Sequence, residues 1–219
     1  MSTENQSVCA VVVAAGASRR MGGENKLLLP LCGKPVLAHT LTAFQMCGAV
    51  RDIVLVCREQ DMEVYRTLAA ENGITKLRTL TRGGDTRTES VLAGVSAASE
   101  ACALVAVHDG ARPLVSDEVI TQAVAEAAKT GAAAPVVPVK DSIKRIENGK
   151  IAADVPRDTL AAVQTPQVFR RDMLLHALLD AAANGRSFTD DCAAVEALGQ
   201  TVSATSGSYE NIKVTTPQV

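Results

Sequence analysis

Four runs of small and β-branched residues dominate the chain: VCAVVVA (8–14), DIVLVC (52–57), LVAVHD (104–109) and AAAPVVPV (132–139). Each is apolar at consecutive rather than alternating positions, so each must be covered on both faces, as strands of a parallel sheet are. The segments between them carry helical spacing. Residues 34–47 place Val36, Leu37, Leu41, Phe44 and Cys47 on one side, with Gly48 as a stop signal. Residues 59–71 and 86–99 read similarly, and 116–130 opens at Ser116, a good N-cap, and closes before Gly131. Strand alternating with helix predicts an α/β fold: a Rossmann-like, mostly parallel sheet with helices on both faces. At 219 residues and 47% hydrophobic content, a single domain over 1–219 is expected.

The pattern changes after residue 139. KDSIKRIENGKIAADVPRDTLAAVQTP is polar, alternates in SIKRI and KIAADV, and has the turn dipeptide Asn148-Gly149 between them. This predicts a β-hairpin too hydrophilic for the core, an arm projecting at about 140–160 and suited to contact a second subunit. Helices resume at 171–184 and 190–198, and TVSAT and NIKVT read as two short closing strands.

Composition narrows the partners. Lys and Arg total 22 against 24 Asp and Glu, and a net charge of −2 gives no bulk field for nucleic acid or an anionic membrane. With no Trp and 2% aromatics there is little to stack bases. No run of 18 apolar residues offers a membrane span, and MSTENQS lacks the segments of a signal peptide, so a cytoplasmic location is expected. The six cysteines are scattered singly, without C-x-x-C spacing, and read as small reduced hydrophobes.

Chemistry concentrates behind three strands. AAGASRRMGGENK (14–26) follows the first, yet Ala17, Ser18 and Arg19 after Gly16 break a G-x-G-x-x-G fingerprint, and Met21 stands where a P-loop needs its second glycine. The loop is small-residued first (Ala14, Ala15, Gly16, Ala17, Ser18) and cationic afterwards (Arg19, Arg20, Lys26). Small residues let backbone N–H groups approach an anion, and three cations suit a triphosphate better than one phosphate. GGDTRTESV (83–91) and VHDGARP (107–113) end two further strands at the same carboxyl edge, where open parallel sheets bind ligands. Asp109 can ligate Mg²⁺, which takes one or two carboxylates plus substrate phosphates, or it can cap the turn after its strand; three converging segments favour the first reading. His39 and His176 read as ordinary helix residues and His108 as a packing residue rather than a base.

With AAGASRRM, GGDTRTESVLAG, HDGARP, DSIKR, TPQVF, FTDD and NIKVT present in order, the chain resembles, over nearly its whole length, the 2-C-methyl-D-erythritol 4-phosphate cytidylyltransferases of non-mevalonate isoprenoid synthesis. The resemblance implies a nucleotidyltransferase that joins CTP to 2-C-methyl-D-erythritol 4-phosphate, releases pyrophosphate, uses Mg²⁺ and works as a homodimer through the arm. It assigns catalysis to Arg20, Lys26 and Lys213, and the nucleotide to Ala14, Ala15, Gly16, Gly84, Asp85, Ser90 and Gly110. Asp109 would hold the metal. Arg112, Thr165, Thr189 and Lys213 would surround the acceptor, and Ser142 and Arg157 would reach it from the partner's arm. Where related loops carry Pro-Lys-Gln, this chain has Asn25-Lys26-Leu27, one residue closer to Met21. The alternatives are a ribitol 5-phosphate cytidylyltransferase, a sugar-1-phosphate nucleotidyltransferase using UTP or GTP, and a non-catalytic nucleotide-sensing module.

Overall fold

The computed structural model describes residues 7–16 and 25–215. Val8–Val13 (β1) is the central strand, and from Val8 to Val12 it has no solvent exposure. The elements that follow are the two-residue strands Pro30–Leu31 (β2) and Lys34–Pro35 (β3), then Val36–Met46 (α1), Val50–Cys57 (β4), Met62–Glu71 (α2), Leu77–Arg82 (β5), Arg87–Ala97 (α3), Leu104–Asp109 (β6), Asp117–Thr130 (α4) and Ala132–Pro138 (β7). The remainder comprises Ile143–Glu147 (β8), Lys150–Val155 (β9), Ala161–Val163 (β10), Gln167–Arg170 (β11), Arg171–Ala183 (α5), Asp191–Glu196 (α6) and Ser203–Ser206 (β12).

The main sheet runs β10-β7-β11-β6-β1-β4-β5, with β12 parallel to β7. β1 is parallel to both β4 and β6. From β1 the chain moves outward through β4 to β5, then crosses back to place β6 on the other side of β1. That reversal opens a crevice between the carboxyl ends of β1 and β6, where Val13 is paired with Asp109.

Strand residues alternate between two helical layers because successive Cβ atoms point to opposite faces. Ala10, Val12, Ile53 and Leu55 pack under Leu37, Leu41 and Phe44 of α1, Tyr65 and Leu68 of α2, and Ile120 of α4. Cys9, Val11, Val54, Val56 and Val105 pack under Val91 and Val95 of α3, Leu174 and Leu178 of α5, and Val195 of α6. Each fully buried aliphatic side chain contributes about 2 kcal/mol.

Most expected boundaries hold within a residue or two, while the helix expected from residue 59 opens as a 3-10 turn over Glu59–Asp61 before α2. Ser116 Oγ accepts from the Val119 N–H, and Gly131 ends α4 at φ 94°, a left-handed value that suits glycine. α1 starts two residues late because Lys34 and Pro35 pair with β2. The arm forms as β8 and β9, which among the described residues pair only with each other and turn at Asn148 (φ 50°) and Gly149 (φ 73°).

Two features depart from expectation. NIKVT is not a strand; Asn211 is fully buried, its amide donates to the Thr165 carbonyl, and Val214 N–H makes a single backbone bond to Ala111 O. The end of the polar stretch supplies β10, and QVFR just beyond it supplies β11, which inserts antiparallel between β6 and β7. Five of the six cysteines are buried and Cys32, in the β2–β3 turn, is exposed. Burial pushes the Cys9 thiol up to about 12 and those of Cys47 and Cys57 up to about 11.

Candidate active site

The floor of the crevice is the extension of β1. Ala14 N–H donates to Val56 O at 2.7 Å, carrying the strand into the AAG segment. A β-carbon placed on Gly83 would fall 2.6 Å from Ala15 Cβ, so only glycine lets the loop after β5 lie against this segment. α3 then begins with a capping box: Thr86 Oγ1 accepts from Glu89 N–H, and Glu89 Oε2 accepts from Thr86 N–H. Ser90 Oγ donates to Thr86 O at 2.9 Å and closes the turn. The first turn of α3 faces the cleft together with Gly84 and Asp85, an arrangement suited to anions.

Asp109 closes β6 between two cations. Its Oδ2 lies 2.8 Å from Lys213 Nζ and 3.5 Å from Arg112 Nε. Burial works against its charge, but Lys213, followed by Arg87 and His108, outweighs this and holds the carboxyl at about 2. A relay behind it fixes the strand end. Asp109 N–H donates to Thr165 Oγ1 (3.1 Å), and that hydroxyl lies 3.0 Å from His108 Nδ1. His108 Nε2 is 3.2 Å from the Arg112 carbonyl, which can only accept. His108 is therefore the neutral tautomer protonated on Nε2, with Thr165 donating to Nδ1. Its complete burial pushes the imidazole down to about 4, as expected of a structural histidine rather than a base.

Lys26 and Lys213 enter from opposite ends of the sequence. Lys26 Nζ donates to Val214 O at 2.7 Å, and Val214 N–H donates to Ala111 O, so both lysines share the segment crossing the mouth of the cleft. The resulting cleft of about 510 Å³ is lined by Ala14, Ala15, Gly16, Lys26, Gly84, Asp85, Ser90, Asp109 and Lys213 among the residues expected there. Gly110 and Arg112 lie behind it. Gly110 N–H donates to Val13 O, and Arg112 Nη1 donates to Asn211 O at 2.6 Å. Thr165 faces the relay, Thr189 is exposed between α5 and α6, and Ser142 is exposed before the arm. Arg157 donates to Lys140 O and borders a separate surface hollow beside the arm. Arg20 lies outside the described residues.

One pair was not anticipated. Arg87 lines the cleft and its Nη1 and Nη2 bind Asp191 Oδ1 and Oδ2 at 2.9 and 2.7 Å. Asp191 is 1% exposed. Burial opposes the Arg87 charge, but Asp191 and Asp109 beside it outweigh this and raise its pKa. The signal was present, since Arg87 falls inside GGDTRTESV and Asp191 inside FTDD, but their partnership spans 104 positions.

Among the described residues no group of three or more His, Cys, Asp or Glu could enclose a metal. The Asp109 carboxylate at the cleft wall suits a hard cation that arrives with phosphates, since Mg²⁺ usually keeps waters and substrate oxygens as ligands. A mostly parallel sheet with a cation-lined crevice at its topological switch point, where Asp109 meets Lys213, is the arrangement of a nucleotidyltransferase.

The comparisons specify which one. A model of the 2-C-methyl-D-erythritol 4-phosphate cytidylyltransferase family matches residues 8–219. A protein of that name from Dehalococcoides mccartyi is 43% identical over 215 residues, covering 98% of this chain and 93% of the relative. One from Bacillus licheniformis is 45% identical over 208 residues, covering 94% and 90%. Among solved structures, the 4-diphosphocytidyl-2C-methyl-D-erythritol synthase of Anaerococcus prevotii superposes with a TM-score of 0.87 at 27% identity, covering 98% of this chain and 93% of that one. The Thermus thermophilus cytidylyltransferase gives 0.77 at 32%, covering 95% and 93%. The chain belongs to the 2-C-methyl-D-erythritol 4-phosphate cytidylyltransferase family.

Proposed function

We propose that the protein transfers CMP from CTP to 2-C-methyl-D-erythritol 4-phosphate, giving 4-diphosphocytidyl-2-C-methyl-D-erythritol and pyrophosphate. The observation that carries this is the meeting of Lys26, Lys213 and Asp109 in one cleft at the β1–β6 switch point, in a chain of this family.

The acceptor is a phosphate monoester, already anionic at neutral pH, so its oxygen needs no general base to attack the α-phosphorus. As that bond forms, the bond from the α-phosphorus to the bridging oxygen breaks and pyrophosphate leaves. The obstacle is bringing two polyanions together. Lys26 and Lys213, with Arg20, offset the charge gathered at the α-phosphorus, while the AAG segment and Gly84, Asp85, Ser90 and Gly110 hold the nucleoside. At an effective dielectric near 20, unit charges about 4 Å apart interact by roughly 4 kcal/mol, so each aimed cation matters. Mg²⁺, when bound, would neutralise phosphate charge and align the triphosphate, and Asp109 is the residue that would hold it. Arg112, Thr165 and Thr189 complete the acceptor side.

We further infer a homodimer in which Ser142 and Arg157 complete the partner's site. The arm supports this reading, because Ile146 and Ile151 are 59% and 69% exposed on a hairpin that pairs with no other strand among the described residues. A single domain and a cytoplasmic location, where CTP is available, belong to the same reading.

Pyrophosphate release measured with CTP and a panel of acceptors tests the assignment. Turnover with 2-C-methyl-D-erythritol 4-phosphate well above that with ribitol 5-phosphate is expected; the reverse order would overturn it.

A further inference from the structure

Lys26 stands between two anchored neighbours. On its N-terminal side, Asn25 Nδ2 donates to Tyr65 Oη at 2.9 Å, and Asn25 Oδ1 accepts from Leu27 N–H at 3.2 Å, so one side chain spans the lysine and ties it to α2. The Asn25 carbonyl also accepts from Leu28 N–H at 2.9 Å. On the C-terminal side, Leu27 is 3% exposed and its carbonyl accepts from Leu37 N–H at 2.9 Å, fixing it to the first turn of α1. Tyr65 is fully buried in the layer formed by α1, α2 and α4. Its phenol is the polar tip of an otherwise apolar side chain, and Asn25 is the side chain it meets. Burial pushes that phenol up to about 12, so it stays neutral at any working pH.

We propose that Asn25 and Tyr65 are positioning residues for the transfer reaction, clamping the backbone of Lys26 so that its ammonium is held over the triphosphate. This rests on the catalytic reading of Lys26 given above. The physical need is clear: lysine is a point charge on a flexible four-carbon stem, and its usefulness depends on how firmly its Cα is placed. A displacement of about 1 Å in a catalytic group can cost on the order of 10²-fold in rate. A proline before the lysine would stiffen the backbone by fixing φ. In this chain Asn25 stands there, and two side-chain hydrogen bonds to Leu27 and Tyr65 supply the restraint instead.

The test compares Tyr65→Phe and Asn25→Ala in wild-type and Lys26→Ala backgrounds, each checked for folding by circular dichroism and thermal melting. In the wild-type background, kcat should fall roughly tenfold while KM for the acceptor holds steady. The Tyr65→Phe, Asn25→Ala double variant should be no slower than the slower single one, since both break one clamp. In the Lys26→Ala background neither substitution should reduce the remaining turnover. Full turnover in folded Tyr65→Phe and Asn25→Ala proteins would overturn the clamp, as would an equal loss with and without Lys26. Normal turnover in Lys26→Ala alone would remove the catalytic reading of Lys26 and the clamp with it, and is read separately from the other two results.

Discussion

Lys213 Nζ lies 2.8 Å from Asp109 Oδ2, joining the C-terminal segment to the carboxyl end of β6. The contact couples the carboxylate proposed to hold the metal with a cation suited to phosphate. Lys213 stabilises the Asp109 charge against burial, and in the proposed reaction the same cation would face the incoming phosphates.

Removing that cation should therefore leave two marks. Lys213→Ala should lower turnover by about 10²-fold, the scale of losing one transition-state donor. It should also raise the Asp109 pKa from about 2, because Lys213 is the main influence opposing burial. The acid limb of the kcat/KM profile should move to higher pH. An unmoved limb would show that Lys213 does not govern the carboxylate.

His108 sets acid stability. Its pKa is about 4 in the fold against about 6.5 unfolded, so between these values the unfolded chain binds the extra proton. This contribution is fully present above about pH 6.5 and is lost as pH falls toward 4, on the order of 3 kcal/mol in total. Asp109, also depressed, adds a second loss below about pH 4. Denaturant midpoints across this range should fall accordingly, and His108→Gln should flatten the segment between pH 6.5 and 4.

The Arg87–Asp191 pair should behave as a buried ion pair does. Asp191→Ala strands a cation at the cleft wall and should cost about 3–5 kcal/mol, read from chemical denaturation. Arg87→Met combined with Asp191→Leu should recover much of that stability, yet leave KM for CTP raised if Arg87 serves the nucleotide. Equal KM in the stable double variant would confine the pair to a structural role.

A shared site can be tested by complementation. Arg157→Ala and Lys26→Ala chains, each impaired alone, should recover activity when mixed and allowed to exchange subunits, because the proposed shared site would leave one of the two sites in a mixed dimer intact. Proven exchange without recovery would count against an arm that reaches the partner.

Much of this was legible locally. The β1, β4, β6 and β7 runs are apolar in consecutive positions, and Ser116 and Gly131 mark the ends of α4, so composition and spacing over a few residues suffice. The failures are nonlocal. NIKVT has strand-like residues, but the Asn211 amide is committed to the Thr165 carbonyl and the Asn211 carbonyl accepts from Arg112, which diverts the segment from any ladder. β11 enters the sheet because β6 and β7 leave a place between them, which nothing within Gln167–Arg170 announces. The Arg87–Asp191 and Asn25–Tyr65 bonds join residues 104 and 40 positions apart, beyond any motif's reach.

The uneven burial of the thiols has a practical chemical consequence. With Cys9, Cys47, Cys57, Cys102 and Cys192 sealed in the core, a maleimide or iodoacetamide reagent should modify the native chain at Cys32 alone. That position lies in the β2–β3 turn, six residues beyond Lys26 in sequence. The protein thus carries a natural attachment point for a fluorophore a few residues in sequence from the loop proposed to meet the triphosphate, so nucleotide entry could be followed in real time without engineering a cysteine.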